Sequence, residues 1–230
     1  MRLILNGGGS DDQVKESYEL FSRETNGGKV LYIPLAWTYG NIKDCINWFK
    51  NQMEPYGVTN IKQILSSKEL TAKTLADASG VFIGGGNAYQ LLKQLKETPA
   101  YKNLMDYING GGLVMGSSAG ALILGKDINT CLKDDLLIKS CNDENFVNLI
   151  DTTGLNCVND YSILPHYKKL PEQLKNTKTR VERLINQGYK LICLPEETSL
   201  WINGNSFQVI WQKPAEIFNG QTKTTLYPKD

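Results

Sequence analysis

Leu113-Val114-Met115-Gly116-Ser117-Ser118-Ala119-Gly120-Ala121-Leu122-Ile123-Leu124 decides the reading of the fold. Three apolar residues make a short buried strand, five small residues follow, and an apolar helical run (Ala121 to Leu124) closes the stretch. Gly116 to Gly120 fits G-x-S-x-G with Ser118 at its centre. A chain that turns from strand to helix within a couple of residues leaves its central residue on strained backbone, so the neighbours must be small. The turn projects the serine Oγ above the sheet at a helix N-terminus. There the next backbone N–H, that of Ala119, faces a developing oxyanion. A Gly/Ser turn without chemistry is the bland alternative; small residues at all five positions favour a nucleophile.

On either side, short apolar runs alternate with longer amphipathic ones, the pattern of βα units around a parallel sheet. Leu3-Ile4-Leu5 runs into Gly7-Gly8-Gly9 and Ser10-Asp11-Asp12, and Val30 to Ile33 ends at Pro34. Asn41 to Met53 has Ile42, Cys45, Ile46 and Phe49 on one helical face and stops before Pro55 and Gly57. Ile61 to Leu65 and Val81 to Ile83 read as strands, and Thr71 to Ala78, Tyr89 to Lys96 and Tyr101 to Ile108 as helices. After Gly125 the segment 126–160 is polar and irregular. A helix from Pro171 to about Gln187 and the strand Leu191 to Leu194 then restore order. Trp201, Phe207, Val209 and Trp211 alternate with polar residues, as short antiparallel strands do. Residues 1–230 therefore read as a single doubly wound α/β domain. Its sheet is mostly parallel, with helices on both faces and a short antiparallel C-terminal edge.

Composition narrows the function classes. A 41% apolar and 21% charged chain of 230 residues is globular, not disordered or fibrous. Its 25 basic and 24 acidic side chains leave a formal charge of +1, no field to hold nucleic acid or an anionic membrane. No apolar run approaches the ~20 residues of a spanning helix or the ~7–15 of a signal peptide, so a cytoplasmic location is expected. Cys45, Cys131, Cys141, Cys157 and Cys193 are odd in number and scattered, as reduced, mostly buried thiols are. His166 is the one histidine, so no clustered metal ligands exist, and neither a metal nor an organic cofactor is expected.

A serine nucleophile needs a base, and His166, in Leu164-Pro165-His166-Tyr167 after an apparent strand, is the one ordinary choice. Ligand sites of open α/β sheets collect at that carboxyl edge. For the acid that orients the imidazole, Glu196 and Glu197 follow Leu194-Pro195, while Asp134 and Asp135 lie after the elbow. Residue type alone does not separate them. Gly84-Gly85-Gly86-Asn87 also follows a strand and brings a second backbone N–H to an oxyanion, or opens a helix with Asn87 as N-cap. Gly7 to Gly9 lacks the G-x-G-x-x-G and P-loop patterns, and Asp11 and Asp12 would meet a phosphate with like charge, which argues against nucleotides. Lys168, Lys169, Lys175, Lys178, Arg180 and Arg183, interspersed with Glu172 and Glu182, read as a solvated helix face. The other reading has one of these cations receive an acidic group of a substrate.

Val81-Phe82-Ile83-Gly84-Gly85-Gly86-Asn87-Ala88-Tyr89-Gln90-Leu91-Leu92, Gly116 to Ala121, Leu164 to Tyr167 and Leu194-Pro195-Glu196 together resemble the peptidase E (aspartyl dipeptidase) and cyanophycinase family of serine peptidases. The resemblance runs roughly from Leu3 to Ile210. It implies a fold similar to class I glutamine amidotransferases. By position it implies Ser118 as nucleophile, His166 as base and Glu196 as acid, with Asp135 the runner-up. It further implies an oxyanion hole of Gly85 or Gly86 with Ala119, and a substrate pocket lined by Asn87 and Gln90. The expectation is a cytoplasmic serine exopeptidase for short peptides, dipeptides foremost, acting as a monomer or homodimer with a small peptide as its partner. Two rivals stand beside it. An α/β-hydrolase-type esterase would draw its acid from Asp134, Asp135 or Asp151. A non-catalytic module would keep the pocket to bind peptides or amino acids.

Overall fold

Period-two burial divides the central strands between two cores. Leu3 and Leu5, Leu31 and Ile33, Val81 and Ile83, and Val114 belong to one. Ile4, Val30 and Tyr32, Phe82, and Leu113 and Met115 belong to the other. A strand buried on both faces reads as a continuous apolar run, which is why these segments are so short and so hydrophobic. The structure is a computed structural model and describes residues 1–131, 143–167 and 174–228.

The strands in chain order are β1 (Arg2–Asn6), β2 (Val30–Ile33), β3 (Ile61–Gln63), β4 (Gly80–Ile83), β5 (Leu113–Ser117), β6 (Tyr161–Leu164), β7 (Lys190–Cys193), β8 (Ser199–Asn203), β9 (Ser206–Ile210), β10 (Ala215–Asn219) and β11 (Thr222–Leu226). The helices are α1 (Lys15–Thr25), α2 (Ile42–Met53), α3 (Ala72–Ala76), α4 (Ala88–Lys96), α5 (Ala100–Asn109), α6 (Ala119–Leu122) and α7 (Leu174–Asn186). Tyr18 and Phe21 of α1 with Cys45, Phe49 and Met53 of α2 cover one face of the sheet. Leu91, Leu92 and Leu95 of α4 with Leu104 and Ile108 of α5 cover the opposite face. Caps set the helix starts: Asn41 accepts the Lys43 N–H at 2.9 Å and opens α2, and such a cap contributes ~1 kcal/mol.

The strands form two sheets. Seven run in the order β3-β2-β4-β5-β1-β8-β9, the first five parallel and the last two antiparallel. Four more run β11-β10-β7-β6, with β6 and β7 parallel. The antiparallel tail expected at one edge therefore serves two: β8–β9 extend the large sheet beyond β1, and β10–β11 extend the small one beyond β7. Alternation marks a strand as half-buried but does not say which edge receives it. The sheets meet where the loops after β1, β6 and β7 bond to one another. The His166 N–H donates to the Gly7 carbonyl at 2.8 Å, the Gly7 N–H to Thr198 at 3.0 Å, and the Tyr167 N–H to Leu194 at 3.0 Å.

Candidate active site

Ser118, His166 and Glu196 leave three different strands and converge at that seam. Ser118 stands between β5 and α6, His166 just beyond β6 and Glu196 just beyond β7, all at carboxyl ends of parallel strands. Ser118 Oγ lies 2.9 Å from His166 Nε2, and His166 Nδ1 lies 2.6 Å from Glu196 Oε1. A carboxylate at Nδ1 fixes that nitrogen as the donor and leaves Nε2 to accept the serine hydroxyl. The His166 and Glu196 side chains are only 11% and 13% exposed, so the pair escapes most of the screening that weakens surface ion pairs. A hydroxyl, an imidazole and a carboxylate in series are what acyl transfer to serine requires.

The elbow is tighter than the sequence pattern alone suggests. β5 continues through Gly116 and Ser117 and α6 begins at Ala119, which compresses the turn into Ser118. Its φ of 52° and ψ of −110° cost on the order of 1–3 kcal/mol and persist because surrounding bonds over-determine them. The Ala121 and Leu122 N–H groups both donate to the Ser118 carbonyl at 2.9 Å, and the Ser118 N–H donates to Asn6 at 3.2 Å. A Cβ on Gly116 would sit 2.5 Å from the Gly120 carbonyl oxygen, and one on Gly120 only 2.2 Å from that of Ile83. The requirement for small neighbours is therefore met by contact with backbone, which cannot yield.

Gly85 lies over the serine, since a Cβ there would come within 3.3 Å of Ser118 Cβ. Gly86 has φ 134° and packs on the loop after β2, where a Cβ would meet the Ala36 carbonyl oxygen at 2.1 Å. Asn87 is committed to scaffold: its Oδ1 accepts the Gln90 N–H at 2.9 Å and its Nδ2 donates to the Glu144 carbonyl at 2.9 Å. Gln90 Nε2 donates to the carbonyls of Leu35 and Trp37. Both residues thus knit the wall beside the serine. Glu197 is bonded to Lys213 at 2.7 Å and Asp151 to Lys96 at 2.7 Å, each away from His166. Asp134 and Asp135 lie outside the described residues, as do Lys168, Lys169 and Glu172. Arg180 departs from the solvated face expected of it: it is buried and donates to the Thr130 carbonyl, while Lys178 and Arg183 remain exposed. Among the described residues no three His, Cys, Asp or Glu side chains gather as a metal ion would need. No helix among them is long and apolar enough to cross a membrane.

The family model of peptidase family S51 matches residues 3–210. The chain belongs to this family of serine-type peptidases. A peptidase E of Shewanella denitrificans is 28% identical over 171 residues, 71% of this chain and 66% of the relative. A peptidase E of Nostoc sp. is 29% identical over 211 residues, covering 88% of this chain and 81% of that one. The crystal structure of a candidate peptidase E from Listeria monocytogenes EGD-e superposes with a TM-score of 0.71 at 25% identity, over 92% of this chain and 98% of that one. A peptidase from an acI-B1 actinobacterium shares the fold, with a TM-score of 0.74 at 20% identity over 100% and 95% of the two chains.

Two features of this S51 chain carry no signature in its sequence. The first is the Gly7-Gly8-Gly9 cluster, which braces the imidazole and its acid. Gly8 has φ 105°, and a Cβ there would lie 2.2 Å from His166 Cε1, so the ring rests directly on the glycine. Cβ atoms on Gly7 and Gly9 would strike the carbonyl oxygens of Pro195 at 1.9 Å and Glu196 at 2.4 Å. The second is Asp143, whose Oδ2 accepts the Ala88 N–H at 2.7 Å at the start of α4. Burial pushes its carboxyl up from the ordinary range, against the Ala88 bond, the Cys131 thiol and the charge of His166, which pull it down. Asn142-Asp143-Glu144 carries no spacing signature, so nothing in the sequence singled it out.

Proposed function

We propose that this S51 peptidase is a serine exopeptidase that cleaves short peptides with a free N-terminus, dipeptides foremost, through an acyl-enzyme on Ser118. The observation that carries the reading is the 2.9 Å and 2.6 Å relay from a strained elbow serine through the chain's one histidine to Glu196. His166 Nε2 takes the Ser118 proton as Oγ attacks the peptide carbonyl, and Glu196 holds the imidazolium that forms. The backbone N–H groups of Ala119 and Gly85 receive the oxyanion, with Gly86 keeping that loop against Ala36. His166 then returns the proton to the leaving amine, and water attacks the acyl-enzyme with the same imidazole as base.

Asp143 takes the α-ammonium of the substrate. A partly buried carboxylate on the α4 side of the cleft, within the electrostatic reach of His166, supports this role. A charge-assisted bond to a peptide ammonium offsets the cost of keeping that carboxylate ionised. Asn87 and Gln90 line the substrate pocket, held in place by their bonds to backbone.

A panel of aspartyl, glutamyl, arginyl and neutral dipeptides, each free and N-acetylated, tests the reading. Wild-type protein should cleave members of the free panel, Ser118→Ala none, and the acetylated forms should resist. Turnover by Ser118→Ala contradicts the serine mechanism. Equal cleavage of acetylated peptides contradicts the exopeptidase assignment.

A further inference from the structure

We infer that Asn6, at the end of β1, is a positioning residue that sets the register between the nucleophile and the base–acid pair. The inference rests on the assignment of Ser118, His166 and Glu196 above. Asn6 is 1% exposed and bonds toward all three. Its carbonyl accepts the Ser118 N–H at 3.2 Å, and its Oδ1 accepts the Ser117 hydroxyl at 3.1 Å. The same Oδ1 accepts the Gly8 N–H at 2.8 Å, an Asx turn that lifts Gly8 beneath the His166 ring. Its Nδ2 donates to Ser199 Oγ at 2.9 Å, on the strand that follows the Glu196 loop.

The arrangement follows from the topology. Asn6 pairs with Ser117 on one side and Ser199 on the other, so β1 is the one strand flanked by both the nucleophile's strand and the strand leaving the acid's loop. There β5 breaks off into the elbow and the ladder ends. The side-chain amide continues the bonding where the backbone stops. An asparagine suits the position because its carbonyl oxygen carries two lone pairs while the NH2 donates outward. An aliphatic side chain of similar size would fill the space but leave Gly8 and Ser117 unbound, and the His166 platform free to drift from Ser118.

The test is the rate at which a small fluorophosphonate phosphonylates Ser118, a step that needs the serine–histidine geometry and little of the substrate pocket. Asn6→Leu should slow it by about 10²-fold, the scale of a misplacement of around 1 Å. Ser117→Ala and Ser199→Ala, which each remove one bond, should slow it several-fold while melting near the wild type. A merely structural role would lower the melting temperature and leave the rate of the folded protein unchanged. Should Asn6→Leu not fold, a slowed rate in either serine variant supports the inference. Wild-type rates in both, or in a folded Asn6→Leu, overturn it. A wild-type protein that is not labelled at Ser118 would instead overturn the assignment of the nucleophile.

Discussion

The large and small sheets hold their shares of the site by different means. On the large sheet, Ser118 is confined by sterics: a side chain at 116 or 120 would strike the carbonyl oxygen of Gly120 or Ile83, and the strained φ is locked by bonds from Ala121 and Leu122. On the small sheet, His166 and Glu196 are held by side-chain hydrogen bonds and by a glycine loop that the large sheet sends across the seam. Ser118 is thus placed by local backbone geometry, whereas the positions of His166 and Glu196 depend on how two sheets dock. Added side chains at Gly116 or Gly120 should cost stability first, and substitutions on the seam side should cost activity first.

The largest break comes from the acid. Glu196→Gln keeps the shape but cannot stabilise the imidazolium, and kcat should fall by ~10⁴ with little change in melting temperature. Glu197→Gln, which loses only the Lys213 bond, should leave kcat within a few-fold.

Two glycine substitutions sharpen the contrast. Gly8→Ala drives a methyl into the His166 ring and should lower kcat/KM by about 10²-fold, since the ring must move by an ångström or more. Gly120→Ala meets the Ile83 backbone instead and should destabilise the fold by ~1–3 kcal/mol, read from denaturant melts. If both behave alike, the division between the sheets fails.

Asp143→Asn has the smallest effect and separates binding from folding. With its carboxyl raised in the folded state, wild type favours folding below the ordinary carboxyl pKa of ~3.9 and loses that contribution as pH rises through the folded value. The asparagine variant should therefore melt above wild type at pH 7, with the gap narrowing on acidification. Its KM for free dipeptides should rise about tenfold, the weight of one lost charge-assisted contact of ~1.5 kcal/mol, while kcat stays near wild type.

Legibility in the sequence follows the same division. β2 at Val30–Ile33 and α2 from its Asn41 cap stand where the pattern put them, because their signals are local. Ser118 was legible for the same reason, and His166 because the chain has no second histidine. Residue type left the carboxylate at Nδ1 open and only the family resemblance pointed to Glu196, since Glu196 and Glu197 are neighbours whose fates diverge only when β7 docks beside β6 and the Gly7–Gly9 loop. Those glycines looked idle because the ring that demands them lies far along the chain. Arg180 and Asp143 were hidden likewise: burial of a charge is a tertiary event that periodicity does not record. The split of the antiparallel tail between two sheets is of that kind too.

On the proposed mechanism Ser118 is the nucleophile and draws its reactivity from His166 across the seam. Fluorophosphonate treatment followed by peptide mapping tests it most directly. The adduct should fall on Ser118 alone in the wild type and be absent from His166→Gln treated under the same conditions. An adduct on a different residue, or undiminished labelling of His166→Gln, would rule out this serine–histidine pair.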